Sequence, residues 1–142
     1  MEQIAIGSDH AGYGLKAKII EYLEQKGYAV TDYGTDSEES TDYPDYAHPV
    51  AIHVVDNECL GILICGSGNG VNMAANKHED VRSALCWNVE LAELARQHNN
   101  ANVLAIPARF VDEILALDMV KAFLGTEFEG GRHERRVNKI NC

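Results

Sequence analysis

Cations are scarce in this chain, with 12 Lys and Arg against 22 Asp and Glu and a formal net charge of −10. A surface of that sign repels a phosphate backbone, so nucleic acid is not an expected partner. Long apolar runs are missing too. None approaches the roughly 20 residues that cross a bilayer, so no membrane partner is expected. The opening residues Met1-Glu2-Gln3-Ile4 carry no basic region, and no signal peptide is expected. Cys59, Cys65, Cys86 and Cys142 include no C-x-x-C pair. That spacing argues against a zinc site and for reduced thiols in a cytoplasmic protein. Repeats, linkers and low-complexity segments are absent as well. The 142 residues, 46% apolar and 24% charged, predict one soluble globular domain over 1–142, long enough for a real core.

What the chain does have is a distinctive stretch in its middle. Ile62-Leu63-Ile64-Cys65 is a short apolar run ending in a thiol, and Gly66-Ser67-Gly68-Asn69-Gly70 follows, with glycine at alternate positions. Asn72-Met73-Ala74-Ala75-Asn76-Lys77 then reads as the start of a helix. A strand entering a helix through a glycine-rich turn can build an anion site, because its N–H groups lack internal partners. A thiol at the mouth of such a turn can serve as base or nucleophile. The stretch also fits a tight turn beside a buried structural cysteine. It is not a P-loop, since no Gly-Lys-Ser/Thr follows, and it is not G-x-G-x-x-G.

Around it, short apolar runs alternate with amphipathic ones. Strands are predicted at 3–7, 28–34, 59–65, 81–87 and 102–106. Helices are predicted at about 13–26, 43–56, from the glycine turn to 77, 88–97, 110–124 and 132–140. Gly27 suits the end of the first helix and Pro44 the start of the second. Pro49 is awkward, and suggests that regular helix begins only there. Asn88 suits an N-cap, with Glu90 and Glu93 favouring the first turns after it.

The alternation predicts an α/β fold, a doubly wound, Rossmann-like, five-stranded parallel sheet in the order 2-1-3-4-5 with helices on both faces. Such sheets bind ligands at the carboxyl ends of the strands where the winding reverses, here between strands 1 and 3. Ser8-Asp9-His10 and Cys65-Gly66-Ser67-Gly68 would meet there. Alone, Asp9 could be a helix cap and His10 a surface residue. Among few cations, Arg132, His133, Arg135 and Arg136 form a basic cluster that is either a solvated face or a phosphate grip.

Six blocks in order resemble the type B ribose-5-phosphate isomerase family, which also holds galactose- and allose-phosphate isomerases. They are Gly7-Ser8-Asp9-His10-Ala11-Gly12, Asp42-Tyr43-Pro44-Asp45-Tyr46-Ala47, Ile64-Cys65-Gly66-Ser67-Gly68-Asn69-Gly70, Ala74-Ala75-Asn76-Lys77, Arg96-Gln97-His98-Asn99 and Gly130-Gly131-Arg132-His133-Glu134-Arg135-Arg136-Val137. The resemblance implies interconversion of ribose 5-phosphate and ribulose 5-phosphate through a cis-enediolate, with no metal or organic cofactor. It implies Cys65 as the base, Ser67 as a proton shuttle where many relatives have Thr, and Asp9 with His98 as the ring-opening pair. It implies Gly66, Gly68, Asn69 and Gly70 around the enediolate, and Tyr43 and Asn99 on the sugar. Arg109, Arg132 and Arg136, helped by His10, would hold the phosphate, while Arg135 stays solvated. Some relatives have a Glu just after the glycine turn, and Val71 stands there instead. His98 is expected at the opposite end of the sheet from Cys65, so the resemblance implies a homodimer with shared sites, which could pair into tetramers.

Other readings stay open. The sugar could be a six-carbon aldose phosphate. The chain could be a phosphate-ligand binding module without catalysis, or a thiol hydrolase using Cys65 and a histidine. Tyr43 could pack on the core, and His98 could be a surface residue ending its helix.

Overall fold

In the computed structural model, which describes residues 2–142, strands and helices alternate along the chain. They are β1 (Gln3–Ser8), α1 (Tyr13–Gln25), β2 (Ala29–Asp32), α2 (Pro44–Asn57), β3 (Leu60–Cys65), α3 (Asn69–Ala75), β4 (Ser83–Leu85), α4 (Val89–Asn99), β5 (Val103–Pro107), α5 (Glu113–Gly125) and α6 (Arg132–Val137). A 3-10 turn, His10–Gly12, joins β1 to α1.

All strand pairings are parallel. Side chains alternate across a strand, so each central strand feeds both faces. Ile4, Ile6, Ile62, Ile64, Leu104 and Ile106 pack beneath α1, α4 and α5, against Ile19, Leu23, Ala95, Met119 and Phe123. Ala5, Leu63, Cys65, Val103 and Ala105 pack on the other face, against Val50 and Val54 of α2 and Val71 and Ala75 of α3. The fold is therefore the doubly wound α/β class that the alternation predicts.

The strand order is β2-β1-β3-β5-β4, which corrects the expected 2-1-3-4-5. Burial explains the exchange. All of Val103–Pro107 is buried, and β5 takes the interior place beside β3. Arg82 and Ser83 make the other strand too polar for that place. It shrinks to Ser83–Leu85, stays half-buried and pairs only with β5, as an edge. β1 and β3 remain neighbours, so the winding still reverses between them.

α2 starts at Pro44, as its place in the first turn predicts, and Pro49 does not delay it, because the carbonyls of Asp42 and Tyr43 accept from Asp45, Tyr46 and Ala47 and set the first turn ahead of Pro49. Two other helix boundaries differ from expectation. α5 starts at Glu113, not Phe110, because the Asp112 carboxylate accepts from the Leu115 N–H at 2.8 Å and caps the helix. α6 stops at Val137, and turns carry the chain through Ile140. Among the described residues, no helix is long and apolar enough to cross a membrane.

Candidate active site

The carboxyl ends of β1, β3 and β5 are tied together by backbone. The Asp9 N–H donates to the Ile64 carbonyl at 3.2 Å, Ala108 to Cys65 at 2.9 Å and Arg109 to Gly66 at 3.0 Å. These bonds draw the three following loops around a cleft of about 270 Å³. Asp9, His10, Tyr43, Cys65, Ser67 and Arg109 line it, together with Ala11, Gly66 and Gly70. Cys65 ends β3, with 5% of its surface exposed at the cleft wall. Cys86, by contrast, is enclosed by core, and burial pushes its thiol up to about 11.

The glycine turn is shaped by close approach. Gly68 has φ +76°, which L side chains seldom adopt. A Cβ on Gly70 would stand 2.7 Å from the Tyr43 ring, so the glycine lets that ring lie against the turn. The Arg109 guanidinium covers Gly66 in the same way, 3.1 Å from where a Cβ would be. Tyr43 is therefore a cleft residue, not part of the core. Among the described residues, the N–H groups of Gly66, Ser67 and Gly68 meet no protein acceptor. They are free donors for an oxyanion.

Hydrogen bonds orient the remaining groups. Asp9 does cap the 3-10 turn, accepting from the Ala11 and Gly12 N–H groups at 3.0 and 3.3 Å. Both bonds fall on Oδ1, which leaves Oδ2 for a ligand. The Thr41 N–H donates to His10 Nδ1 at 3.2 Å. A neutral His10 must then carry its proton on Nε2, as a donor. The Asn69 N–H donates to Ser67 Oγ at 3.3 Å, so the serine keeps its own O–H free. Asn69 and Ser67 also border a neighbouring apolar hollow with Leu85, Trp87, Pro107 and Phe110.

Gly68, Asn69, His98, Asn99, Arg132 and Arg136 are not among the residues lining this cleft. His98 and Asn99 form the last turn of α4, which leads into the start of β5, the far end of the sheet from Cys65. α6, carrying Arg132 and Arg136, packs against α4. The basic cluster thus sits apart from the glycine turn of its own chain.

Sequence reasoning missed the grouping at that far end. The His98 and His133 rings stack with centroids 4.2 Å apart and planes 13° apart. Both Nε2 atoms stand 3.8 Å from Glu129 Oε1. Burial, then the charges of His98, Arg132 and Arg136, hold His133 below the ordinary histidine range, against the pull of Glu129. Only the four-residue spacing of Glu129 and His133 hinted at this.

Comparison with known proteins gives a consistent result. The family model described as Ribose/Galactose Isomerase matches residues 4–140. Ribose-5-phosphate isomerase B of Escherichia coli is 48% identical over 143 residues, covering 100% of this chain and 96% of that protein. The crystal structure of a ribose 5-phosphate isomerase from Thermotoga maritima superposes with a TM-score of 0.96 at 52% identity, covering 99% of this chain and 97% of that one. Ribose-5-phosphate isomerase B from Mycoplasma genitalium, solved with bound ribulose-5-phosphate, gives 0.94 at 49% identity, covering 97% and 93%.

Proposed function

The chain belongs to the ribose/galactose isomerase family, and from that premise we propose that it is an aldose–ketose isomerase that interconverts ribose 5-phosphate and ribulose 5-phosphate. The observation that carries this reading is the position of Cys65. Its sulfur stands at the wall of a cleft that also holds a free carboxylate oxygen, a hydroxyl, a guanidinium and the free backbone donors of Gly66 and Ser67.

Each group has work to do. Cys65 removes the proton from carbon 2 of the open aldose and returns it to carbon 1. The enediolate in between carries its charge on oxygen, facing the N–H groups of Gly66, Ser67 and Gly68. One such donor contributes on the order of 3 kcal/mol to a transition state. The Ser67 O–H relays a proton between the two oxygens, and Tyr43 lies along the sugar chain. Asp9 Oδ2 takes the proton of the anomeric hydroxyl as the ring opens, while His98 protonates the ring oxygen. His10 Nε2–H and Arg109 hold the phosphate.

His98, Asn99, Arg132 and Arg136 reach a cleft only if it belongs to a second copy, which supports a homodimer with shared sites. The partner helix face then supplies the acid, a sugar contact and two arginines for one phosphate. The cysteines are all free, which fits a reducing cytoplasm.

Heavy water tests the reaction. Incubation with ribose 5-phosphate in deuterium oxide should wash deuterium into carbon 2 of the aldose pool while ribulose 5-phosphate appears. A pure binding protein or a hydrolase leaves carbon 2 unlabelled. A panel of five- and six-carbon aldose phosphates, each compared by kcat/KM, tests the sugar; a higher value for a six-carbon sugar would reassign the substrate.

A further inference from the structure

At the end of the sheet opposite the cleft, two arginines stand together without an acid. Arg82 precedes β4, and Arg96 lies in the last turn of α4. Both are half-buried. They meet at Asn100, whose left-handed backbone turns the chain out of α4. Its main-chain carbonyl accepts from Arg82 Nε at 2.8 Å, and its side-chain oxygen accepts from Arg96 Nη1 at 3.2 Å. The other acceptors are neutral backbone carbonyls, that of Asp80 for Arg82 and those of Ala101 and Thr126 for Arg96. Among the described residues, the cations in ion pairs are Lys16, His98 and His133. A chain with 22 Asp and Glu against 12 Lys and Arg thus leaves two neighbouring guanidiniums unpaired. Burying a charge without a counter-charge is costly, and a second charge of the same sign beside it adds to the cost. Burial holds both groups below the ordinary arginine range, and the charge of Arg82 lowers Arg96 further, against the pull of Asp80 on the first and Glu127 on the second.

Nη2 of each guanidinium has no protein acceptor among the described residues, and neither atom is enclosed. Both arginines line a cavity of about 590 Å³, a size that suits a small ligand. Val54 and Val55 near the end of α2 and Leu60 at the start of β3 give it an apolar wall. Two acids also border it, and neither neutralises the pair. Asp80 Oδ1 accepts from Asn141 Nδ2 at 2.7 Å, and Glu58 is exposed just after α2. We propose that this cavity binds a small organic phosphate, with its phosphoryl oxygens on the Arg82 and Arg96 guanidiniums and its apolar body along Val54, Val55 and Leu60. Two guanidiniums match the charge of a phosphate dianion, and their planar forks suit its oxygens. An occupant held by the folded chain alone also stabilises it, because it supplies the missing counter-charge. The cavity lies at the far end of the sheet from Cys65, so the proposal goes beyond the isomerase reading and does not rest on it.

Calorimetric titration with phenyl phosphate, and with inorganic phosphate for comparison, tests the site. Arg82→Gln should weaken one phenyl phosphate binding event per chain by roughly tenfold or more, as loss of a hydrogen-bonded charge does. Arg82→Lys keeps the charge without the fork and should weaken it by a smaller factor, which also provides a reading if the Gln variant does not fold. Any binding in the catalytic cleft should respond to Arg109→Ala instead and be unmoved by either change at Arg82. Phenyl phosphate should bind more tightly than inorganic phosphate, because only it covers the apolar wall. The thermal midpoint of the wild type should rise with phenyl phosphate by more than with chloride at equal ionic strength. No binding, binding that both Arg82 variants leave unchanged, or an equal rise in chloride would overturn the site. Equal affinity for the two probes would overturn the organic class of the ligand. A chain without isomerase activity would still show the Arg82-dependent event, so failure of the functional reading and failure of this site are separate outcomes.

Discussion

At the scale of single residues, two cysteines of one chain should behave as different chemicals. Cys65 faces the cleft, while burial raises the Cys86 thiol to about 11 and removes nearly all of its thiolate near neutral pH. Brief treatment with iodoacetamide near pH 8 should label Cys65, saturating sugar phosphate should slow that labelling, and Cys86 should stay unmodified. Mass spectrometry of the digested protein reads both sites. Labelling of Cys65 at the same rate with and without ligand would remove it from the cleft. Gly70→Ala addresses the same cleft by volume. The added methyl would stand 2.7 Å from the Tyr43 ring, which is exposed and can swing aside. KM should therefore rise several-fold, while the thermal midpoint moves little, since surface changes usually cost within about 0.5 kcal/mol. A large loss of midpoint with unchanged KM would place Tyr43 in the packing instead. Cys65, Asp9 and the glycines were legible in the sequence because a sheet of this class fixes where strand ends lie. The hydrogen bonds that set the His10 tautomer and free Asp9 Oδ2 were not, because they depend on which loop, 35–42 or the 3-10 turn, closes on which atom.

Between elements, α2 and the segment after α3 are joined by an imidazole pair, His48 Nδ1 to His78 Nε2 at 2.7 Å. Burial, and then the neighbouring His48, hold His78 below its ordinary value. The folded chain thus releases the proton of His78 more readily than the unfolded one does. The stability it contributes is complete above about pH 6.5 and disappears as the pH falls through the lowered folded value. Thermal midpoints taken from about pH 5 to pH 8 should drop on the acid side, and His78→Gln should flatten that drop. Equal slopes for the two proteins would rule out the pair as a source. Strand order was the main element-scale feature that the pattern did not disclose. The signal was present in Arg82 and Ser83, whose polarity marks an edge, but the alternation of strand and helix says only that a crossover exists, not how many strands it skips. Helix starts were similarly underdetermined, since Asp112 and Pro49 each offer a boundary and capping chooses between competing ones.

For the whole molecule, the division of the proposed machinery between two ends of one sheet is the feature with the widest consequence. Cys65 and Asp9 occupy the carboxyl end, and His98 with Arg132 and Arg136 the region where α4 and α6 meet. Mixing His98→Ala with Cys65→Ala protein should restore up to about a quarter to a half of wild-type activity per site pair, because shared sites regain one intact copy in a mixed dimer. No recovery after confirmed subunit exchange would mean that sites are not shared. The far-end place of His98 was legible from topology alone, whereas that of Arg132 and Arg136 and the His98–Glu129–His133 grouping were not, because they depend on how the last segment returns across α4. The account as a whole turns on Cys65 as the group that moves hydrogen, and deuterium uptake in the Cys65→Ala variant tests that most directly. With ribose 5-phosphate bound as tightly as in the wild type, carbon 2 should take up no deuterium above background. Uptake at a rate close to wild type would contradict it.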